Sequence, residues 1–397
     1  MSMSPRHPTK KKEKRKPLYS KKMSTHLAAV ALAKGKPFEL QTRPTPKPGP
    51  GELLIEIKSV ALNPADGIMR DQGLFIPSYP TVIGFDISGL VVDVGDSVPD
   101  SLFQPGITRV AAYAAFLWKS CNPDYGAFQE MCLVPWQHAA PLPYKGISWN
   151  ETATLPVAIE VPLSAWEVMG ISPSSFSSSC TAITSGGTCK NKKQKNQALL
   201  IWGASSSVGT MGVQTARLLR EDPDSPFAAV YTTAGMSNQT YIKSLGADLV
   251  FDYKEPQVVD AIISAARKDG LVIQHCFLAT GQLAPCQAVL RAFLEQNYQK
   301  KKVNKAKIAS APVIPPDAEE VNGVETTLVM PSANERERLA QFRYWMGTFL
   351  VEHLTKRAIQ PSPELKVVER GLEAINAGLD ELLRGVSCTK LVVEVAK

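Results

Sequence analysis

The stretch Ala198-Leu-Leu-Ile-Trp-Gly-Ala-Ser-Ser-Ser-Val-Gly-Thr-Met-Gly212 carries the clearest chemical signal in the chain. Apolar residues of the buried-strand type run into a turn of small residues and then into a helical pattern. Small side chains let the backbone approach a pyrophosphate. The helix N-terminus adds free N–H groups and a partial positive charge. Gly209 and Gly212 would keep that helix close to the sheet. The turn reads Gly203-Ala-Ser-Ser-Ser-Val-Gly209, so the usual G-x-G-x-x-G is not intact. A tight structural turn is therefore the alternative, and the strand–turn–helix order favours the nucleotide.

The next strand bears on which nucleotide. An NAD site places Asp or Glu at this strand's end to accept from the ribose 2′-OH. Here Val230-Tyr-Thr-Thr-Ala-Gly235 ends without an acid and continues Met236-Ser237-Asn238, with Lys243 and Tyr253 nearby. Hydroxyl and amide donors suit a 2′-phosphate that an acid would repel. NADPH is the expected cofactor, and Lys243 itself reads as an exposed helix residue.

These residues need a frame to hold them, and the chain has one. Its 397 residues are 44% hydrophobic and 20% charged, enough for two or three globular domains. The net charge of +7 is uneven. Residues 1–22 hold nine Lys or Arg and one acid, Glu13, while the remainder carries 35 basic and 36 acidic side chains. The folded part is thus neutral, which argues against a nucleic-acid groove. No apolar stretch approaches the ~18 residues needed to cross a bilayer, and no apolar signal-peptide core is present. A cytoplasmic protein is expected. Lys10–Lys16 reads either as a solvated tail or as a nuclear import signal. The seven cysteines (Cys121, Cys132, Cys180, Cys189, Cys276, Cys286 and Cys388) form no CxxC pair and read as buried inert thiols.

From Thr25 to about Asn150 the pattern is of short strands. Leu53–Val60, Ile87–Val94 and Phe128–Val134 alternate, and Pro and Gly clusters punctuate them, as in a small β-barrel. From Leu155 strands and helices take turns. Leu199–Trp202, Ala228–Thr233, Asp248–Phe251 and Leu271–Leu278 read as strands of a parallel sheet. Thr210–Leu219, Gln239–Leu245 and Gln257–Arg267 are the helices between them. Ser172–Gln197 reads as a surface insertion. Helices at Glu335–Arg357 and Glu369–Leu383 precede a last strand, Leu391–Val395.

The motifs Leu62-Asn-Pro-Ala-Asp66, Gly84-Phe-Asp-Ile-Ser-Gly89, Val91-Val-Asp-Val-Gly95 and Gly126-Ala-Phe-Gln-Glu130 follow one another in the first half. Ala153-Thr-Leu-Pro156, Gly203–Gly209, Lys243-Ser-Leu-Gly-Ala-Asp248 and Lys390-Leu-Val-Val393 continue the series. In that order they resemble the medium-chain dehydrogenase/reductase superfamily, from about Thr25 to Lys397. The nearest branch is that of the fungal zinc-independent oxidoreductases, which includes trans-acting enoyl reductases of polyketide synthesis and quinone oxidoreductases. The resemblance implies an α/β chain with a GroES-like β-barrel catalytic domain and a Rossmann domain built on a doubly wound parallel sheet. A disordered basic tail would span residues 1–22. The catalytic domain would span 23–155, the Rossmann domain 156–325 with an insertion at 172–197, and 326–397 would return to the catalytic domain.

Zinc members of the superfamily carry Cys where this chain has Asn63, and a His-Glu pair where it has Phe85 and Asp86. A metal needs three or four suitable ligands, so no zinc is expected. Carried over residue by residue, the resemblance sets Asn63, Pro64, Ala65 and Asp66 beside the nicotinamide and its ribose, Asn63 and Asp66 being the catalytic candidates. Ser205, Ser206, Ser207 and Val208 would hold the pyrophosphate. Ser237, Asn238 and Tyr253 would meet the 2′-phosphate side. Phe277 and Leu278 would back the nicotinamide ring, and Val386 and Ser387 would close over the cofactor. Thr154, Leu155, Pro156, Val157, Ala158, Ile159 and Glu160 would line the substrate side.

The implied reaction is hydride transfer from NADPH to the β-carbon of an activated, α,β-unsaturated double bond, on a small-molecule or carrier-bound enoyl substrate. A polyketide synthase would be the partner, and the chain would be a monomer or a homodimer. Asp66, Tyr113 or solvent would supply the proton for the α-carbon. The alternatives are a quinone or enone reductase of broad specificity and a non-catalytic NADPH-binding protein. Three features depart from the resemblance: Gly106-Ile-Thr-Arg-Val110 in place of Gly-Asp-Arg-Val, Pro162, tolerable only in a helix's first turn, and the basic stretch Asn297–Lys307.

Overall fold

A computed structural model describes residues 25–142, 146–171, 195–294 and 305–395. The basic run at 10–16, Cys180, Cys189 and most of the Ser/Thr-rich insertion lie outside the described residues, as does most of the basic stretch 297–307.

The first half supplies β1 (Thr25–Val30), β2 (Glu39–Pro44), β3 (Glu52–Ala61), α1 (Pro64–Gln72), β4 (Asp86–Val94), β5 (Arg109–Tyr113), β6 (Met131–Pro135) and β7 (Ala139–Leu142). Two helices follow, α2 (Trp149–Ala153) and α3 (Pro156–Val168). In β3 the apolar side chains of Leu53, Ile55 and Ile57 are buried while Glu56 and Lys58 keep partial exposure, the period-2 signature of a strand with one face in the core. β1 and β2 form an antiparallel pair of their own.

The second half alternates as the sequence pattern requires: β8 (Gln197–Trp202), α4 (Ser207–Glu221), β9 (Phe227–Thr233), α5 (Gln239–Ser244), β10 (Leu249–Phe251), α6 (Val258–Lys268), β11 (Val272–Leu278), α7 (Leu283–Leu294), β12 (Ala306–Ser310) and β13 (Val324–Leu328). These six strands form one parallel sheet in the order β10-β9-β8-β11-β12-β13. Numbered within the sheet that order is 3-2-1-4-5-6, the doubly wound arrangement whose ligand crevice opens where the winding reverses, between β8 and β11. β8 is buried on both faces. Leu199 and Ile201 join a core shared with the antiparallel strands, whereas Ala198, Leu200 and Trp202 join a second core against α6 and α7. The parallel sheet ends at Leu328, so the strand straddles the boundary expected at residue 325.

The chain then forms a continuous helix, α8 (Glu335–Phe342), a π-helical stretch (Arg343–Leu350) and α9 (Val351–Thr355). After it come β14 (Glu364–Arg370), α10 (Ala374–Arg384) and β15 (Thr389–Glu394). The last strand pairs antiparallel with β3, which places the chain's end inside the first sheet, in the order β14-β15-β3-β4-β5-β7 with β6 also on β3. The span 369–383 was expected to be helical throughout. Instead its first residues end β14, because Val367 pairs beside β15 before Gly371 breaks the strand. Pro162 also departs from expectation. It lies in the second turn of α3, is buried, and the helix runs on to Val168. Packing against α4 and the π-helical stretch holds the helix through the missing N–H.

Candidate active site

Three strands bring the site's polar residues together by register alone. Ala61 of β3 faces Val392 of β15 on one side and Asp86 of β4 on the other. Asn63, two residues past Ala61, therefore falls opposite Lys390, two residues before Val392. Asp86 in turn faces Tyr113 of β5. The side chains complete what the register begins. Lys390 Nζ donates to Asn63 Oδ1 at 2.6 Å and to Asp86 Oδ2 at 2.9 Å, and Asn63 Nδ2 donates to the same Asp86 oxygen at 3.0 Å. The other Asp86 oxygen accepts the Val157 backbone N–H at 2.7 Å, which ties the first turn of α3 to this knot. Lys390 is 3% exposed and Asp86 not at all. A buried pair of this kind holds only when hydrogen bonds satisfy the remaining polar atoms, as they do here.

Around the knot stand acids that burial makes harder to ionise. Asp66, in the first turn of α1, accepts the Asn63 backbone N–H at 2.8 Å through Oδ2, and its Oδ1 has no partner. Burial first, and then the neighbouring Asp86, push its carboxyl up to about 7. Glu160 of α3 is also buried and is pushed up to about 8 by the same two causes in the same order. Burial raises the Tyr113 phenol well above its ordinary range, and the nearby acids add to this. Asn63 is 6% exposed and keeps one Nδ2 hydrogen outside the knot. Pro64 and Ala65 are exposed at the head of α1.

The nucleotide turn is built on different terms. Gly203 leaves β8 with φ +81°, and a Cβ there would meet the Thr280 backbone at 2.5 Å. A Cβ on Gly209 would lie 2.4 Å from the Gly203 carbonyl oxygen. Ser206 caps α4: its hydroxyl accepts from the Gly209 N–H at 3.1 Å and donates to the Gly203 carbonyl at 2.9 Å. The Ser207 hydroxyl is sealed from solvent and unpartnered. Ser205, Ser206, Ser207 and Val208 are all half-buried, at the N-terminus of a 15-residue helix. A backbone cradle that no side chain could enter, an orphan hydroxyl and a helix N-terminus suit a dinucleotide's pyrophosphate.

At the end of β9, Ser237 and Tyr253 are exposed, and Asn238 Nδ2 donates to the Ser387 hydroxyl at 3.0 Å across 149 residues of sequence. That bond joins the expected 2′-phosphate side to the loop before β15, where Val386 is half-buried. Phe277 and Leu278, the residues expected to back a nicotinamide ring, lie at the end of β11. Both side chains are sealed in the core. The Phe277 ring is held by Trp166 at 5.6 Å and by the close passage of α4 at Gly212, where a Cβ would come within 3.0 Å of it. The exposed residue at that strand end is Thr280. Among the substrate-side candidates, Thr154, Leu155, Pro156, Ala158, Ile159 and Glu160 are buried and Val157 is half-buried. The Thr154 hydroxyl is already spent on the Glu151 carbonyl at the end of α2.

A family model described as the alcohol dehydrogenase GroES-like domain matches residues 49–144. Trans-enoyl reductase tndF of Aspergillus flavipes is 37% identical over 371 residues, covering 93% of this chain and 98% of the relative. The chain belongs to the medium-chain dehydrogenase/reductase superfamily, in its fungal branch. A second member of that branch, trans-enoyl reductase tazE of Aspergillus terreus, is 36% identical over 323 residues, or 80% of this chain and 97% of its own length. Among solved structures, CurK enoyl reductase shares the fold with a TM-score of 0.68 at 16% identity, covering 94% of this chain and 99% of its own. Superfamily membership makes the chain an oxidoreductase that uses a nicotinamide cofactor.

Zinc does not fit the position that zinc-dependent members of the superfamily use. Asn63 and Asp86 point their oxygens at an ammonium group, and Phe85 is packed between Tyr113 and Phe116 at 5.6 and 4.9 Å. Lys390 and Asp86 were quoted in motifs but given no role in the sequence reading. A lysine inside the apolar run Lys390-Leu-Val-Val393 was the available signal, because a buried-type strand seldom carries one unpaired. The five cysteines among the described residues are free. Burial raises the thiols of Cys121, Cys132, Cys286 and Cys388, which suits inert packing.

Proposed function

We propose that this chain is an NADPH-dependent enoyl reductase that acts in trans, reducing the α,β-double bond of an enoyl thioester carried by a polyketide synthase in secondary metabolism. The observation that carries the reading is the 37% identity, over nearly the full length of both chains, to a relative named trans-enoyl reductase. The cofactor choice rests on a β9 that ends at Thr233-Ala234-Gly235 without an acid, followed by exposed Ser237 and by Asn238. When bound, NADPH supplies the hydride.

The chain's own residues supply placement and electrostatics. The turn 203–209 and the cap of α4 hold the pyrophosphate, with the Ser207 hydroxyl as a donor. Asn63, fixed by Lys390 and Asp86, turns its remaining amide hydrogen toward the nicotinamide side of the cleft. The buried Lys390, paired with Asp86 and bonded to Asn63, sets a fixed field at this end of the cleft.

The test is cofactor oxidation by the purified chain, with NADPH and NADH compared, on an enoyl thioester and on a small quinone. Thioester turnover with NADPH is expected. Quinone turnover alone would replace the reading with a general reductase, and tight NADPH binding without turnover of either would make the chain a binding protein.

A further inference from the structure

Reduction of a double bond needs a proton as well as a hydride. Glu160 has the setting for that task. It lies three residues beyond Val157, whose N–H ties the start of α3 to Asp86, and it is near enough to feel the Asp86 charge. The carboxyl makes no hydrogen bond among the described residues, and its Oε1 is sealed and orphaned. The residue is nonetheless 3% exposed. A buried, unpartnered carboxyl is costly unless it is neutral, so it stands as a carboxylic acid with a proton to give.

The other acids nearby are less free. Asp66 is fully buried and commits Oδ2 to the Asn63 N–H. The Tyr113 ring is wedged among Phe85, Trp118 and Phe342 at 5.6, 5.7 and 4.9 Å, and its phenol is a far weaker acid.

Resting on the enoyl-reductase reading, we propose that Glu160 is the acid that protonates the substrate α-carbon. NADPH would supply the hydride, its C4–H bond breaking as the β-carbon C–H bond forms, and the double-bond electrons would then rest on the substrate as an enolate. The enolate α-carbon then forms a C–H bond to the Glu160 proton. The O–H bond breaks, its electron pair stays on the carboxylate, and solvent returns a proton before the next turnover. The neighbouring charges keep the acid protonated at rest: Asp86 from β4 and Glu167 from α3 itself both oppose its ionisation. The acid therefore titrates near 8 and is matched to neutral pH.

The experiment compares wild-type chain and Glu160→Gln with NADPH and an enoyl thioester across pH. It also records the carboxylic-acid C=O stretch by infrared difference spectroscopy on substrate-free protein. Wild-type turnover should fall as pH rises through about 8. Glu160→Gln should lose about 10²–10⁴-fold in kcat, lack that alkaline limb, bind NADPH as wild type does, and lack the part of the acid band that is lost as pH rises through about 8, while the Asp66 part remains. Should the variant not fold, loss of the wild-type acid band over the same pH range as loss of turnover carries the same inference. Glu160→Gln with wild-type turnover and an unchanged alkaline limb would overturn the proposal. So would the absence of an acid band at neutral pH. A wild-type chain that oxidises NADPH with quinones but not with enoyl thioesters would overturn the functional reading and the proposal with it, whatever the infrared band shows.

Discussion

The knot at Lys390 and the turn at Gly203 are both polar sites beside a sheet, and they are built in opposite ways. In the knot, side chains from three strands and the start of a helix satisfy one another, and Lys390 reaches Asn63 across 327 residues of sequence. In the turn, the Gly203 and Gly209 backbones and the Ser206 hydroxyl lie within seven consecutive residues. There the buried Ser207 hydroxyl has no partner, at the N-terminus of α4. The closed site is a fixed piece of electrostatics, and the open one is a receptor. An internally paired charge has little left to offer a ligand except its field, whereas orphan donors at a helix end cost stability until an anion arrives.

Substitutions can break this contrast. The largest effect is expected at the knot. Lys390→Met leaves Asp86 buried without its cation and should cost about 3–5 kcal/mol of unfolding free energy, read from urea denaturation. Lys390→Met combined with Asp86→Asn should recover part of that loss, because no uncompensated charge then remains. A loss no smaller in the double variant would mean that the pair's charges are not what holds β3, β4 and β15 in register.

At the turn the cost should be smaller and should fall on binding. Gly203→Ala forces a side chain into a left-handed backbone conformation and against Thr280. That should cost about 1–3 kcal/mol of stability and weaken NADPH by about tenfold or more, the equivalent of ~1.4 kcal/mol. Calorimetric titration and thermal melting separate the two effects, and unchanged NADPH affinity would remove the turn from the cofactor site. Smallest is Ser206→Ala, which removes the cap of α4 and should lower stability by about 1 kcal/mol. Fluorescence-detected melting would show it as a small drop in Tm that saturating NADPH partly restores.

The same contrast explains what could be read in advance. The turn was legible because strand, small residues and helix are neighbours in sequence, and each carries a local signature. The alternation of β8 through β11 with their helices was legible for the same reason. Asn63 and Asp66 were singled out by a motif, yet their partners were not. Lys390 stands beside Asn63 only because β15 returns to pair with β3, and Asp86 meets α3 only because the Val157 N–H points at it. How Phe277 packs could not be read from its place at a strand end. Gly212 lets α4 lie so close that the ring is sealed beneath it. Pro162 was placed by its local cost alone, and burial on α3 outweighed that cost.

By itself the sequence determined the two kinds of sheet, the strand–turn–helix at Gly203 and the absence of an acid at the end of β9, because each is a property of contiguous residues. Tertiary structure alone decided that Lys390, near the chain's end, joins Asn63 and Asp86, and that Glu160 is buried near Asp86 as an unpartnered acid. Both facts depend on strand register and helix docking, and these are set by which apolar faces bury together across hundreds of residues.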